Sequence, residues 1–369
     1  MSLLAPCLVS ALLFCFQAAP AQTSAESIDW TEARRLFQME QRGQALTEEE
    51  AAYLAKAKDA RRAGGGRRPA RGKGSGGAQR PAPETMTPLS DLSAEDRYEG
   101  EEGGLYGAGR NEAPAELEAA AREALAAIRP LDAEGRPADA GKIVLVSISM
   151  SNATQEFSVF KRMADSDERK SEQLAIVDCA QGGQAMAEWV PPEGRPWSVA
   201  ISRLEGAGVS PQQVQVAWIK LANKAPSGSM EEHLGKLEAD TVEVIRNARA
   251  RFPNLRIAYL GSRIWAGNAR GGLNPEPYAY ESAFAVRNLI RRQMDGDESL
   301  ARGEAPVLLW GPYLWAAGEA GRKSDGLKYL PSDFVADGVH PSDSGREKVA
   351  KQLLEFFSTN PLATDWFLR

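Results

Sequence analysis

The sequence is poor in the residues that cross-link or metallate a fold: of its 369 residues, three are Cys and two are His. Cys7 and Cys15 lie in an apolar amino-terminal stretch (Leu3, Leu4, Leu8, Val9, Leu12, Leu13, Phe14, Phe16) that ends in Ala19-Pro20-Ala21. Such a run with a small-x-small ending reads as a signal peptide over 1–21, which predicts a secreted, periplasmic or cell-surface protein. No Lys or Arg precedes the run, so a retained anchor is the alternative. Cleavage leaves Cys179 without a partner for an intrachain disulfide. No later run approaches the roughly 20 apolar residues that cross a bilayer, so no membrane span is expected after cleavage. The few His and Cys cannot furnish a zinc site, and Asp165-Ser166-Asp167 lacks the glycine and terminal glutamate of a calcium loop. No metal or cofactor is expected. A formal net charge of -6 gives no case for a nucleic-acid partner.

What is present divides into segments. Over 22–60, Trp30, Leu36 and Phe37, then Leu46, Tyr53, Leu54 and Ala57, have helical spacing interrupted at Gly43, with Thr47 and Glu50 in capping-box register. A small helical hairpin is predicted. From Lys56 to Arg80, nine Lys or Arg accompany one acid, Asp59, among glycines. Such a stretch cannot bury enough apolar surface to fold, so 61–98 is expected to be a flexible basic linker, either a solvated tether or a contact to an anionic surface polymer through 56–80. A glycine-dense loop and an Ala/Glu helix (Pro114 to Ile128) fill 99–141. The glycines between Tyr98 and Asn111 are not followed by Lys-Ser/Thr, which excludes a phosphate-binding loop.

From Lys142 onward, over 142–369, apolar strand-like runs (Ile143 to Ile148, Leu174 to Val177, Val214 to Ile219, Arg256 to Leu260, Val307 to Trp310) alternate with helical ones. The helices are expected near Gln155 to Arg169, Trp197 to Leu204, Met230 to Arg251, Tyr278 to Met294 and Ser342 to Phe357. Five such strands imply an α/β domain with a parallel sheet covered on both faces. Sites in such sheets lie at the carboxyl ends of the strands.

Ser149-Met150-Ser151-Asn152 follows the first strand, Asp178 to Gln184 the second, and Lys220-Leu221-Ala222-Asn223 the third. Asp337-Gly338-Val339-His340-Pro341 precedes the last helix. A serine hydroxyl needs a base within reach, and histidine is the side chain suited to that task at neutral pH. His340 is the candidate base and Asp337 the group that orients it; the structural alternative is that both merely cap a turn and a helix. His233, beside Glu231 and Glu232 at a helix start, is expected to be an exposed surface residue. Asn152-Ala153-Thr154 has the pattern of a glycosylation acceptor but is better read as part of the turn.

The Asp-x-x-His-Pro block resembles the last block of the SGNH/GDSL hydrolase superfamily, and the likeness extends over Lys142 to Phe357. It implies a three-layer, flavodoxin-like fold and a serine hydrolase in which Ser151, Asp337 and His340 are catalytic. Ser149 and Met150 stand where relatives have Gly and then Asp or Gln; Ser149 is a fallback nucleophile. The resemblance also places an oxyanion donor at Gly183 or Gly182 and a second at Asn223, although the glycine and aspartate that usually flank that Asn are missing here.

Arg263, Trp265, Tyr278, Tyr280, Glu281 and Trp315 fall at or beyond strand ends and are candidate substrate-binding residues, with Trp310 and Tyr313 read as core or contact. Aromatic rings beside polar groups suit sugars, and no long apolar lid is present. The expected substrate is therefore a small-molecule or polysaccharide ester, an O-acetyl or other O-acyl group, cleaved through an acyl-serine. The competing readings are a catalytically silent protein of the same fold that binds carbohydrate, and a cell-surface scaffold working through the amino-terminal segment.

Overall fold

The computed structural model describes residues 32, 33, 36, 39, 46–64 and 79–369. The signal peptide expected over 1–21, Trp30, Phe37, Gly43 and the glycine-rich stretch 65–78 lie outside the described residues. The chain divides into two units, Met1–Ser75 and Gly76–Arg369. In the first, α1 (Glu48–Gly64) opens with the predicted capping box: Glu50 N–H donates to Thr47 Oγ1 at 3.2 Å and Thr47 N–H to Glu50 Oε2 at 3.0 Å. Ala33, Leu36, Leu54 and Ala57 are buried.

The second unit begins well before the expected end of the linker, and this corrects the boundary at 98. Leu89 and Leu92 are buried in the main core, Tyr98 packs against it, and Arg97–Tyr98 (β1) pairs antiparallel with Glu101–Glu102 (β2). Those three side chains supply the apolar surface that the Gly/Arg stretch lacks. α2 (Ala115–Ala126) then leads into the sheet.

Five parallel strands follow: β3 (Ile143–Ser149), β4 (Leu174–Asp178), β5 (Val214–Lys220), β6 (Ile257–Leu260) and β7 (Val307–Trp310), in the spatial order β4-β3-β5-β6-β7. Every residue of β3, β5, β6 and β7 is buried, as a sheet sandwiched between helices requires. The helices are α3 (Ser151–Asp165), the short α4 (Met186–Trp189), α5 (Arg195–Gly206), α6 (Met230–Arg251), α7 (Tyr278–Met294), α8 (Asp343–Thr359) and the short α9 (Thr364–Phe367). α3 packs on α8 and α6 on α7, completing three layers. The strand order reverses between β3 and β5, so the crevice at their carboxyl ends is the topological switch point where this architecture places ligands.

Candidate active site

The first loop at that switch point is short. β3 ends at Ser149, Met150 caps α3 in an extended conformation (φ -113°, ψ -167°), and Ser151 is the first helical residue. Ser149 is fully buried and its hydroxyl donates to the Lys220 carbonyl across the β3/β5 register, which removes it as a nucleophile. Ser151 Oγ lies 2.7 Å from His340 Nε2. The buried Asn152 amide donates to the Val339 carbonyl at 2.8 Å, tying the start of α3 to the histidine loop.

That loop is a tight turn. Asp337 Oδ1 accepts the N–H groups of Val339 and His340, both at 2.9 Å, and Oδ2 lies 2.6 Å from His340 Nδ1. Partial burial pushes the Asp337 carboxyl up, but those backbone donors and the imidazole outweigh it and hold the group below its ordinary value. With Nδ1–H donating to this carboxylate, the Nε2 lone pair faces Ser151. Gly338 makes the turn possible. Its φ is +71°, and a Cβ there would sit 1.8 Å from the Asn268 carbonyl oxygen.

Ser151 and His340 open into a cavity of about 250 Å³. Met150, Ala185, Val339 and Leu273 give it apolar walls, while Asn223, Arg263 and Asn274 bring polar groups. Gly183 lines the cavity and Gly182 does not; Gly183 has φ +77° and open space where a side chain would be. Its loop is anchored by Gln181 N–H to the Ser149 carbonyl at 3.0 Å and by Arg203 Nη1 to the Asp178 and Ala180 carbonyls, each at 2.7 Å.

Under this floor lies a pair that the sequence reading missed. Lys220 ends β5 and Glu156 sits on α3; both are fully buried and joined as an ion pair. Burial drives the Lys220 ammonium down to about 8, with Glu156 pulling the other way. The apolar run of β5 stops at Ile219, and nothing local signals that Lys220 has a buried partner 64 residues away.

The proposed substrate contacts separate. Arg263 reaches the cavity. Trp265 is half-buried and packs on Phe334 with ring centroids 5.9 Å apart, away from the lining. Tyr278, Tyr280, Glu281 and Trp315 are buried in the interior and line no part of the cavity, so their assignment as substrate contacts is corrected. α7 buries nearly its whole circumference, which places Tyr278, Tyr280 and Glu281 in the interior. Trp310 and Tyr313 are buried as well.

His233 is also corrected. It is buried rather than exposed, with Nδ1 2.7 Å from Glu281 Oε2 and its ring edge-on to Tyr278. Glu281 in turn pairs with Arg80, which fixes that end of the basic segment on the second unit. Asn274 and Leu273, which complete the cavity from the loop after β6, carry no periodic signal that would have found them.

No family model matches the chain, and no curated protein matches it. Among solved structures, the chain is similar to a Bacteroides fragilis protein named as an acylhydrolase, with 13% identity over 66% of this chain and 96% of that one and a TM-score of 0.33. It is similar to the periplasmic domain of a lipopolysaccharide acetyltransferase from Salmonella ser. Paratyphi A, with 13% identity over 64% and 95% and a TM-score of 0.30. It is also similar to an extracellular lipase from Streptomyces rimosus, with 12% identity over 58% and 98% and a TM-score of 0.30. At such identities and scores, what this chain does rests on its own residues.

Proposed function

We propose that the protein is an exported serine esterase of the SGNH/GDSL type that hydrolyses an O-acyl ester, with a carbohydrate as the alcohol. The observation that carries the reading is the continuous relay from Ser151 Oγ to His340 Nε2 at 2.7 Å and from His340 Nδ1 to Asp337 Oδ2 at 2.6 Å, opening into a cavity. In the proposed reaction Ser151 attacks the ester carbonyl while His340 takes its proton and Asp337 stabilises the imidazolium. The Ser151 N–H, left without an intrahelical acceptor at the start of α3, joins the Gly183 N–H and the Asn223 amide in holding the oxyanion. His340 then protonates the leaving alcohol, and a water activated by the same ring releases the acyl group from Ser151.

The cavity supports a short acyl group. About 250 Å³ lies just below the usual range of ligand pockets, roughly 300 to 1,000 Å³, which suits a small acyl group. The test is hydrolysis of 4-nitrophenyl acetate by the wild type, with Ser151→Ala expected to lower kcat by about 10⁴-fold or more. Equal turnover by the two proteins would end this assignment.

A further inference from the structure

The cavity holds two buried polar groups with unused hydrogen-bonding capacity. Arg263 follows β6 and is 2% exposed. Its backbone N–H donates to Ser282 Oγ at 2.9 Å, which fixes the main chain. The guanidinium makes no hydrogen bond or ion pair among the described residues, and Nε and Nη1 are both sealed from solvent without partners. The neighbouring carboxylates are engaged elsewhere. Glu276 accepts from the N–H groups of Ala266 and Tyr280 and from the Trp315 indole, at 2.8 to 2.9 Å, and Glu156 pairs with Lys220. Burial pushes the Arg263 guanidinium below its ordinary value, against the pull of Glu156 and Glu276.

Asn274, 3% exposed, is the second group. Its Nδ2 donates to the Asn223 carbonyl at 3.4 Å, which orients the amide and leaves Oδ1 buried without a donor. Its backbone is left-handed, φ +55°, a conformation that Asn tolerates better than most residues and that strained functional loops often hold. Both side chains line the cavity that contains Ser151 and His340, with these unpartnered atoms just beneath its surface.

We propose that the substrate is an ester of an acidic, hydroxyl-bearing molecule, whose carboxylate or equivalent oxyanion docks on Arg263 while a hydroxyl donates to Asn274 Oδ1. The inference rests on the esterase reading of this cavity and narrows its substrate class. A guanidinium fork matches an oxyanion, and a buried charge lacking direct contacts gains the most from a ligand that supplies them. A structural role for Arg263, as a diffuse counter-charge to Glu156 and Glu276, would affect stability without selecting among substrates.

The experiment compares kcat/KM within two matched pairs. 4-Nitrophenyl hydrogen succinate against 4-nitrophenyl methyl succinate places the charge on the acyl side. 4-Acetoxybenzoate against its methyl ester places it on the alcohol side. The wild type is expected to prefer the anionic member of one pair by about 10- to 100-fold, the worth of one charge-assisted hydrogen-bonded contact. Arg263→Gln should bring that ratio close to unity, and Arg263→Lys should keep part of it. A wild-type ratio near unity in both pairs, or a preference unchanged in Arg263→Gln, overturns the proposal.

Calorimetric binding of glucuronate to Ser151→Ala decides the matter if no ester is turned over. Binding weakened tenfold or more by adding Arg263→Gln sustains the anion site while the esterase reading fails. Neutral-ester turnover without anionic preference sinks the anion site and leaves the esterase reading standing; neither turnover nor glucuronate binding sinks both. Asn274→Gly, which keeps the left-handed backbone, should weaken glucuronate binding more than benzoate binding. Equal effects would remove Asn274 from the substrate contacts.

Discussion

Lys220→Met tests whether the buried pair beneath the candidate active site holds it in place. Lys220 and Glu156 are both fully buried, the ammonium pairing with Oε2, and Glu156 Oε1 has no hydrogen-bond partner among the described residues. Removing the ammonium leaves a carboxylate in the interior, which typically costs about 3 to 5 kcal/mol. Set against a total stability of about 5 to 15 kcal/mol, this is a large share. With a urea slope near 3 kcal/mol per M, the top of the range for small domains, the midpoint should fall by about 1 to 2 M. Glu156→Leu combined with Lys220→Met removes both charges and should recover most of that loss, since apolar replacement of a whole buried pair is often neutral or stabilising. Urea unfolding followed by tryptophan fluorescence reads both variants. If the double variant is as unstable as the single one, the loss comes from packing of the lysine stem, and the electrostatic account is refuted.

Three further outcomes follow from the site's geometry. Gly338→Ala places a methyl against the Asn268 carbonyl at a left-handed φ, so the turn carrying Asp337 and His340 must shift; ester turnover should fall about 10²-fold, as a displacement of about 1 Å can produce, and wild-type kinetics would mean that the turn does not position His340. Asn223→Ala should lower kcat by about 10²- to 10³-fold with little change in KM, as expected for an oxyanion donor, and an unchanged kcat would remove it from that role. Asp333, pushed up by burial, is nevertheless held below the ordinary carboxylate value by Lys348, the Leu330 N–H and Ser344. A depressed carboxyl contributes stability that is present above its unfolded value of about 3.9 and lost as pH falls through the folded value. Asp333→Asn should therefore lower the unfolding midpoint at pH 7 and flatten its decline below about pH 4; an unaltered acid limb would show that the Asp333 contacts add nothing.

The sheet was legible because strands buried on both faces are written as nearly continuous apolar runs, here interrupted only by Ser147 and Gln215. The strands' polar last residues were not. Ser149, Asp178 and Lys220 extend β3, β4 and β5 beyond the apolar run because each finds a partner elsewhere: the Lys220 carbonyl, Ser147 and Thr154, and Glu156. α3 likewise begins at Ser151 rather than near Gln155, since a Ser-Asn-Ala-Thr start is weak by propensity and is set by the turn. The Asp337/His340 pair stood out because histidine is so scarce. His233 was misread from its acidic neighbours, although His233, Leu237 and Thr241 recur at four-residue spacing and are all buried on one face of α6. Arg263 and Asn274 were beyond reach as a pair, since a loop's path across a cavity leaves no period in the sequence.

The two departures from the motif that the Ser151 segment resembles bear on different things. A glycine before the nucleophile is needed only where the backbone is left-handed or crowded, and here Ser149 lies within the regular β3/β5 ladder, its hydroxyl satisfied by the Lys220 carbonyl. Met150 has ordinary extended angles and packs with Ala185 and Ala222 along the cavity wall. Neither substitution displaces Ser151, which stays within hydrogen-bonding distance of His340. What changes is the wall. A polar Asp or Gln at position 150 would bring hydrogen-bonding groups to the wall near Ser151, whereas methionine brings a flexible apolar one. In the proposed esterase the polar selection of substrate therefore shifts from the nucleophile's own loop to Arg263 and Asn274. Met150 then leaves an apolar wall beside Ser151, and the proposed recognition of an acidic substrate falls to Arg263 and Asn274. On this view the altered motif marks a change in what the site admits rather than a loss of the means to react.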